Sequence, residues 1–98
     1  MIDFLPTYLY IKQHTITWKL YFGKTIRKDP IKYLGGGSYW QSHIKKHSKE
    51  NIVTLWHCLF TDQAECTAFA LEFSKKMNIV KSEQWLNLID EDGLGKIE

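Results

Sequence analysis

One arginine, two prolines and two cysteines among 98 residues exclude several classes of protein at the outset. Cys58 and Cys66 are too few and too isolated for a disulfide scaffold or a zinc site, and are expected as free buried thiols. No apolar run approaches the ~20 residues that a membrane span requires. The opening Met1-Ile2-Asp3-Phe4-Leu5 has neither the basic start nor the long apolar stretch of a secretion signal. One small soluble domain in the cytoplasm is therefore expected, with a core over about residues 7–89 and a flexible tail at 90–98. A chain of this length buries only about 60 to 65% of its unfolded surface. Large side chains must carry such a core, and four Trp, five Tyr and five Phe supply them.

The net charge of +2 conceals an uneven distribution. Residues 1–57 hold eight Lys and Arg27 against Asp3, Asp29 and Glu50, whereas residues 58–98 hold four Lys against eight acids. Aromatic residues, among them Tyr8, Tyr10, Tyr21, Tyr33, Tyr39 and Trp40, interleave the basic half. That combination suits a phosphate backbone with exposed base or sugar faces. On charge alone, a solvated surface is the favoured explanation, because blocks of like sign are common on ordinary domains.

Thr7-Tyr8-Leu9-Tyr10-Ile11 and Leu20-Tyr21-Phe22-Gly23 are β-branched and aromatic runs, read as two antiparallel strands joined by a loop near residues 14–17. Asp29-Pro30 breaks the next segment, and Gly35-Gly36-Gly37 is the most flexible stretch. Ser38 with Gln41 three residues later forms a capping-box signature for a helix from Tyr39 to about His47. Ile52 to Phe60 is apolar on both parities, which predicts a central strand buried on two faces. Asp62 with Glu65 caps a second helix reaching Met77 or Asn78, whose stripe is Cys66, Phe69, Ala70, Phe73 and Met77. Trp85, Leu86 and Leu88 dock a last extended or short helical piece. The fold class is α+β: a small three-stranded antiparallel sheet flanked by helices, in the order β-β-α-β-α-tail.

Tyr8-Leu9-Tyr10, then ten intervening residues, then Tyr21-Phe22-Gly23-Lys24-Thr25, resembles the paired motif of the GIY-YIG nucleases. Tyr8 stands in place of the usual first glycine and Phe22 in place of isoleucine. Tyr33-Leu34-Gly35-Gly36-Gly37-Ser38-Tyr39-Trp40 and Ile44-Lys45-Lys46-His47-Ser48-Lys49-Glu50-Asn51 resemble the glycine-rich lead and the following helix of phage and homing-endonuclease members. Asn87 resembles the asparagine that closes the family domain, which implies a late structural role or a phosphate contact with substrate. The resemblance spans about Tyr8 to Gly93. It implies a stand-alone catalytic domain that hydrolyses DNA phosphodiester bonds with one divalent metal ion, Mg2+ or Mn2+, in a host cytoplasm. RNA is the competing substrate, and a homodimer or a partner protein would supply target specificity.

Such hydrolysis requires a base, cationic help for the phosphoryl oxygens and a carboxylate for the metal. By resemblance the base is Tyr10 or Tyr21. A phenol with a reference pKa near ~10 needs a neighbouring cation for that role, and Lys24 follows the second motif. The alternative for both rings is ordinary strand packing. Arg27 takes the place of the family's phosphate clamp, with Lys32 as its substitute, although a solvated surface arginine explains it as well. His43 and His47 lie four apart, a spacing that puts two imidazoles on one helical face as a metal pair or as phosphate contacts. No carboxylate or cysteine nearby completes a zinc set, and His47 is read as touching substrate or relaying a proton. His14 and His57 are expected as surface loop and strand positions. The family's metal-binding Glu falls on Ala70, within the apolar stripe. Glu72, or Glu65, would have to replace it. A member that binds nucleic acid or a protein without cutting is the alternative, and a nucleic-acid mimic built on the acidic half is a third reading.

Overall fold

The computed structural model describes residues 4–87 together with Glu91 and Gly93. Its elements are β1 (Thr7–His14), β2 (Leu20–Thr25), α1 (Ser38–His47), β3 (Ile52–Phe60) and α2 (Gln63–Lys76), in the expected order. The strands form one antiparallel sheet in the spatial order β2-β1-β3.

The central strand is β1, not β3. Adjacent residues Leu9 and Tyr10 are both fully buried, so β1 is the strand covered on both faces. The apolar residues of β3 at both parities have another cause. Ile11 pairs with Trp56 but Lys12 pairs with Thr54, which leaves Leu55 as the extra residue of a β-bulge. The bulge reverses the alternation of side chains. Ile52 packs with Tyr10 and Trp40 on one face, while Trp56 and Phe60 pack with Leu9 and Phe22 on the other. Edge position also leaves Cys58 exposed, contrary to the buried thiol expected. Cys66 is buried, and neither cysteine is in a disulfide.

Two cores result. Leu9, Phe22, Cys66, Ala70, Ile79 and Trp85 join the sheet to α2. Tyr10, Tyr21, Trp40 and Ile44 join the opposite face to α1. Asp62 caps α2 as expected, its carboxylate accepting from the Glu65 N–H at 2.9 Å. The capping box expected at Ser38 does not form. Gly37 is the N-cap and has no side chain to contribute, and Gln41 donates its amide to the Gly35 carbonyl. A Cβ on Gly37 would lie 2.5 Å from Cε1 of Tyr21, so the ring excludes a side-chain cap.

The outer edge of β2 is closed. Leu20 N–H donates to Gln84 O at 2.9 Å and Leu86 N–H to Leu20 O at 2.8 Å, so Trp85 and Leu86 run as an extended strip beside it. Leu88 and most of the expected tail lie outside the described residues. Glu91 is packed rather than frayed: its N–H donates to Ser74 Oγ at 3.0 Å, and that hydroxyl donates to its carbonyl at 3.2 Å. Among the described residues no helix is long and apolar enough to cross a membrane.

Candidate nucleic-acid interface

Strand alternation places Tyr10, Lys12 and His14 of β1 on the face covered by α1, with Tyr21 and Gly23 of β2 on the same side. Tyr10 lies opposite Gly23, and the Tyr10 and Tyr21 ring centroids are 6.1 Å apart. A Cβ on Gly23 would come within 2.5 Å of the Tyr10 hydroxyl and 2.6 Å of a Tyr21 ring carbon. Glycine is thus what lets the two motif tyrosines meet. Tyr33 stands edge-on to Tyr10 at 6.2 Å, and Tyr21 stacks on Trp40 at 5.6 Å. Gly35, at φ +106°, lies where a Cβ would be 2.8 Å from the Trp40 indole nitrogen, which donates to Leu34 O at 2.6 Å. The glycine run, expected to be the most flexible stretch, is a collar pressed onto Tyr21, Tyr33 and Trp40.

Outside this collar is a cleft of about 520 Å³ lined by Arg27, Asp29, Lys32, Tyr33, Gly35 and Lys49, with Leu34, Gln41 and Ile44 completing its wall. The Arg27 guanidinium lies over the Tyr33 ring at 4.7 Å, a cation–π contact that holds the fork at the cleft. Asp29 Oδ1 accepts the Ile31 and Lys32 N–H groups at 3.0 and 3.1 Å, and this Asx turn sets where Lys32 emerges. Arg27 and Lys32, which the sequence offers as alternatives for one phosphate clamp, thus line the same cleft. Lys49 joins them without having been singled out. Tyr10 and Tyr21 sit behind Tyr33 and Gly35 rather than on the cleft wall, and are 0% and 8% exposed. Lys24 is not brought to them. It pairs with Leu9 and shares the parity of Phe22, which directs it to the α2 face.

Lys12 is the cation that the tyrosines do have. Fully buried, it donates through Nζ to Pro30 O at 2.5 Å, Ile31 O at 3.2 Å and Thr54 Oγ1 at 2.6 Å, and it lies 5.3 Å from the Tyr10 ring centroid. Burial pulls its pKa down to about 8 against a smaller opposing pull from Asp29. A lysine inside a strand reads as solvent-facing. The signal that could have found it is its parity with Tyr10.

His43 and His47 do share a face of α1, with rings 4.4 Å apart. They meet His14, which is fully buried and not in a surface loop: its ring is 5.4 Å from His43 and 6.2 Å from His47. His14 Nδ1 accepts the Ile16 and Thr17 N–H groups, each at 3.3 Å, so Nε2 carries the proton and donates to Ser48 O at 3.0 Å. His43 Nε2 pairs with Thr17 Oγ1 at 2.7 Å. Burial first, then His47, His14, Lys19 and Lys46, lower the His43 pKa. His14 lies four residues beyond Tyr10, about 13 Å along the strand, so His47 belongs to this cluster and not to the tyrosine pair. His57 is exposed and rests edge-on against Tyr8 at 5.8 Å.

The carboxylates do not converge. Ala70 is fully buried in the core between sheet and α2, on the face opposite the tyrosines. Glu72 and Glu65 are exposed on that same helix. Neither fits as a metal ligand beside Tyr10, Tyr21 and Arg27, and among the described residues no group of three or more His, Cys, Asp or Glu is arranged to hold a metal ion. Asn87 is occupied as well. Its Oδ1 accepts Phe22 N–H at 3.1 Å and its Nδ2 donates to Phe22 O at 2.7 Å, so the side chain acts as one more residue of strand at the β2 edge. No protein-family model, no curated protein and no solved structure matches the chain.

Proposed function

We propose that the chain is a GIY-YIG-like DNA-handling domain that takes a phosphodiester backbone into the cleft of Arg27, Lys32 and Lys49 and acts as an endonuclease there, in the cytoplasm. The observation that carries this reading is one juxtaposition. Two tyrosines from separate motifs are packed over Gly23, and the wall that covers them, Tyr33 and Gly35, carries three cations and one carboxylate. A bidentate arginine fork fixed on an aromatic ring is suited to a phosphate.

Hydrolysis in the resembling family uses one divalent ion, Mg2+ or Mn2+. Glu72 and Glu65 do not fit as its ligands here, so no step is assigned to them. Binding without cutting is the second reading. The buried Ala70 favours it, as does the full burial of Tyr10. Supercoiled plasmid incubated with the protein in Mg2+, in Mn2+ and in EDTA, beside a single-stranded RNA control, separates the two. Metal-dependent nicking lost in Arg27→Ala supports the endonuclease. Salt-dependent binding with no nicking supports the binder, and the absence of both rejects the cleft as a nucleic-acid site.

A further inference from the structure

The tip of the β1–β2 hairpin displays two large apolar side chains. Trp18 is 65% exposed and Ile16 62% exposed. Trp18 also sits at φ +66°, a left-handed conformation that disfavours any residue with a Cβ. Such a residue persists only where its surroundings fix it, and here they do. Trp18 N–H donates to His14 O at 2.8 Å, His14 N–H to Lys19 O at 2.9 Å and Thr15 N–H to Asn51 O at 2.8 Å. From inside, the His14 ring holds the Ile16 and Thr17 amides, and Thr17 is tied to His43. The buried His14, with His43 beside it, thus anchors a hydrogen-bonded tip that holds an indole in solvent.

We propose that this tip is a nucleobase-stacking finger, in which Trp18, flanked by Ile16, takes the face of an unpaired or unstacked base. The inference rests on the nucleic-acid reading of the cleft and adds a second contact to it. Charge selects the occupant. The groups acting on His43, just beneath the tip, are His47, His14, Lys19 and Lys46. Trp18 lies within residues 4–28, which hold four Lys and Arg27 and no acid, and an aromatic plate on a basic segment suits a base with its phosphates more than a basic partner. Preorganisation matters too, because a backbone already fixed at Trp18 loses little freedom when the indole stacks.

The test is fluorescence anisotropy of a labelled single strand and of a labelled duplex over a salt series, with the wild type, Trp18→Gly and Trp18→Phe. Glycine suits the positive φ, so Trp18→Gly keeps the fold, which its thermal melt verifies. The proposal expects Trp18→Gly to weaken single-strand binding about tenfold, with an unchanged slope of log affinity against log salt, and Trp18→Phe to retain most of the affinity. Equal binding by wild type and Trp18→Gly overturns the finger while leaving the cleft standing. Loss of self-association in Trp18→Gly, with nucleic-acid affinity untouched, also overturns it, in favour of a protein contact. A wild type that binds neither nucleic acid removes the underlying reading as well.

Discussion

Gly23 and Lys12 are the residues on which the tyrosine pair depends. Any side chain at Gly23 enters space held by both rings, 2.5 to 2.7 Å from their atoms. Gly23→Ala should cost about 2 kcal/mol, the usual range for overpacking; an unchanged urea midpoint would show that the rings are not locked over this residue. Lys12 makes a pH prediction. Its pKa is about 8 in the fold against an ordinary 10.5. Below about 8 both folded and unfolded chains hold the proton, and the burial cost is fully present. Between 8 and 10.5 the unfolded chain binds more protons, so this group's contribution to stability rises with pH. Urea midpoints at neutral and alkaline pH should therefore rise for the wild type relative to Lys12→Met. A difference that falls with pH contradicts the assignment.

At the scale of elements, local signals were legible and long-range ones were not. Asp62 and Glu65 announce α2 because a cap is made within four residues. The capping box at Ser38 misleads because Tyr21, seventeen residues earlier in sequence, occupies the space of a cap at Gly37. Likewise nothing local marks the bulge at Leu55, and without it β3 reads as a strand buried on both faces. Ala70 and Asn87 turn these placements into tests. Ala70→Glu, which would place a carboxylate where the resembling family has one, puts an unpaired charge into a fully buried site and should cost at least about 3 kcal/mol, with no rescue by Mg2+. If the variant folds normally and gains cleavage, the placement of α2 is wrong. Asn87→Leu strands the backbone N–H and C=O of Phe22 and should cost about 3 kcal/mol while leaving DNA affinity per folded molecule unchanged. A selective loss of affinity in a stable Asn87→Leu would make the amide a phosphate contact.

Over the whole molecule, the two faces of the sheet have different uses. The α2 side is a hydrophobic core with Glu65 and Glu72 outside it, and the α1 side gathers Tyr10, Tyr21, Lys12, the histidines and the cationic cleft. Arg27, Lys32 and Lys49, all from the basic half of the sequence, gather on the α1 side. The position of Arg27 after the second motif, with Lys32 as its substitute, is what singles these two out in the sequence, and both line the cleft. Lys12 and His14 are not marked in the sequence, since one strand parity carries them alongside Tyr10 into a face that Pro30, Ile31 and α1 cover. The most direct measurement is the affinity for a labelled duplex against salt concentration, for the wild type and for Arg27→Ala/Lys32→Ala/Lys49→Ala, all three exposed positions. Each lost phosphate contact removes about 0.9 from the log–log slope, so the triple variant should bind more weakly with a slope shallower by about 2 to 3. Equal slopes and equal affinities in the two proteins would contradict a phosphate backbone held in this cleft.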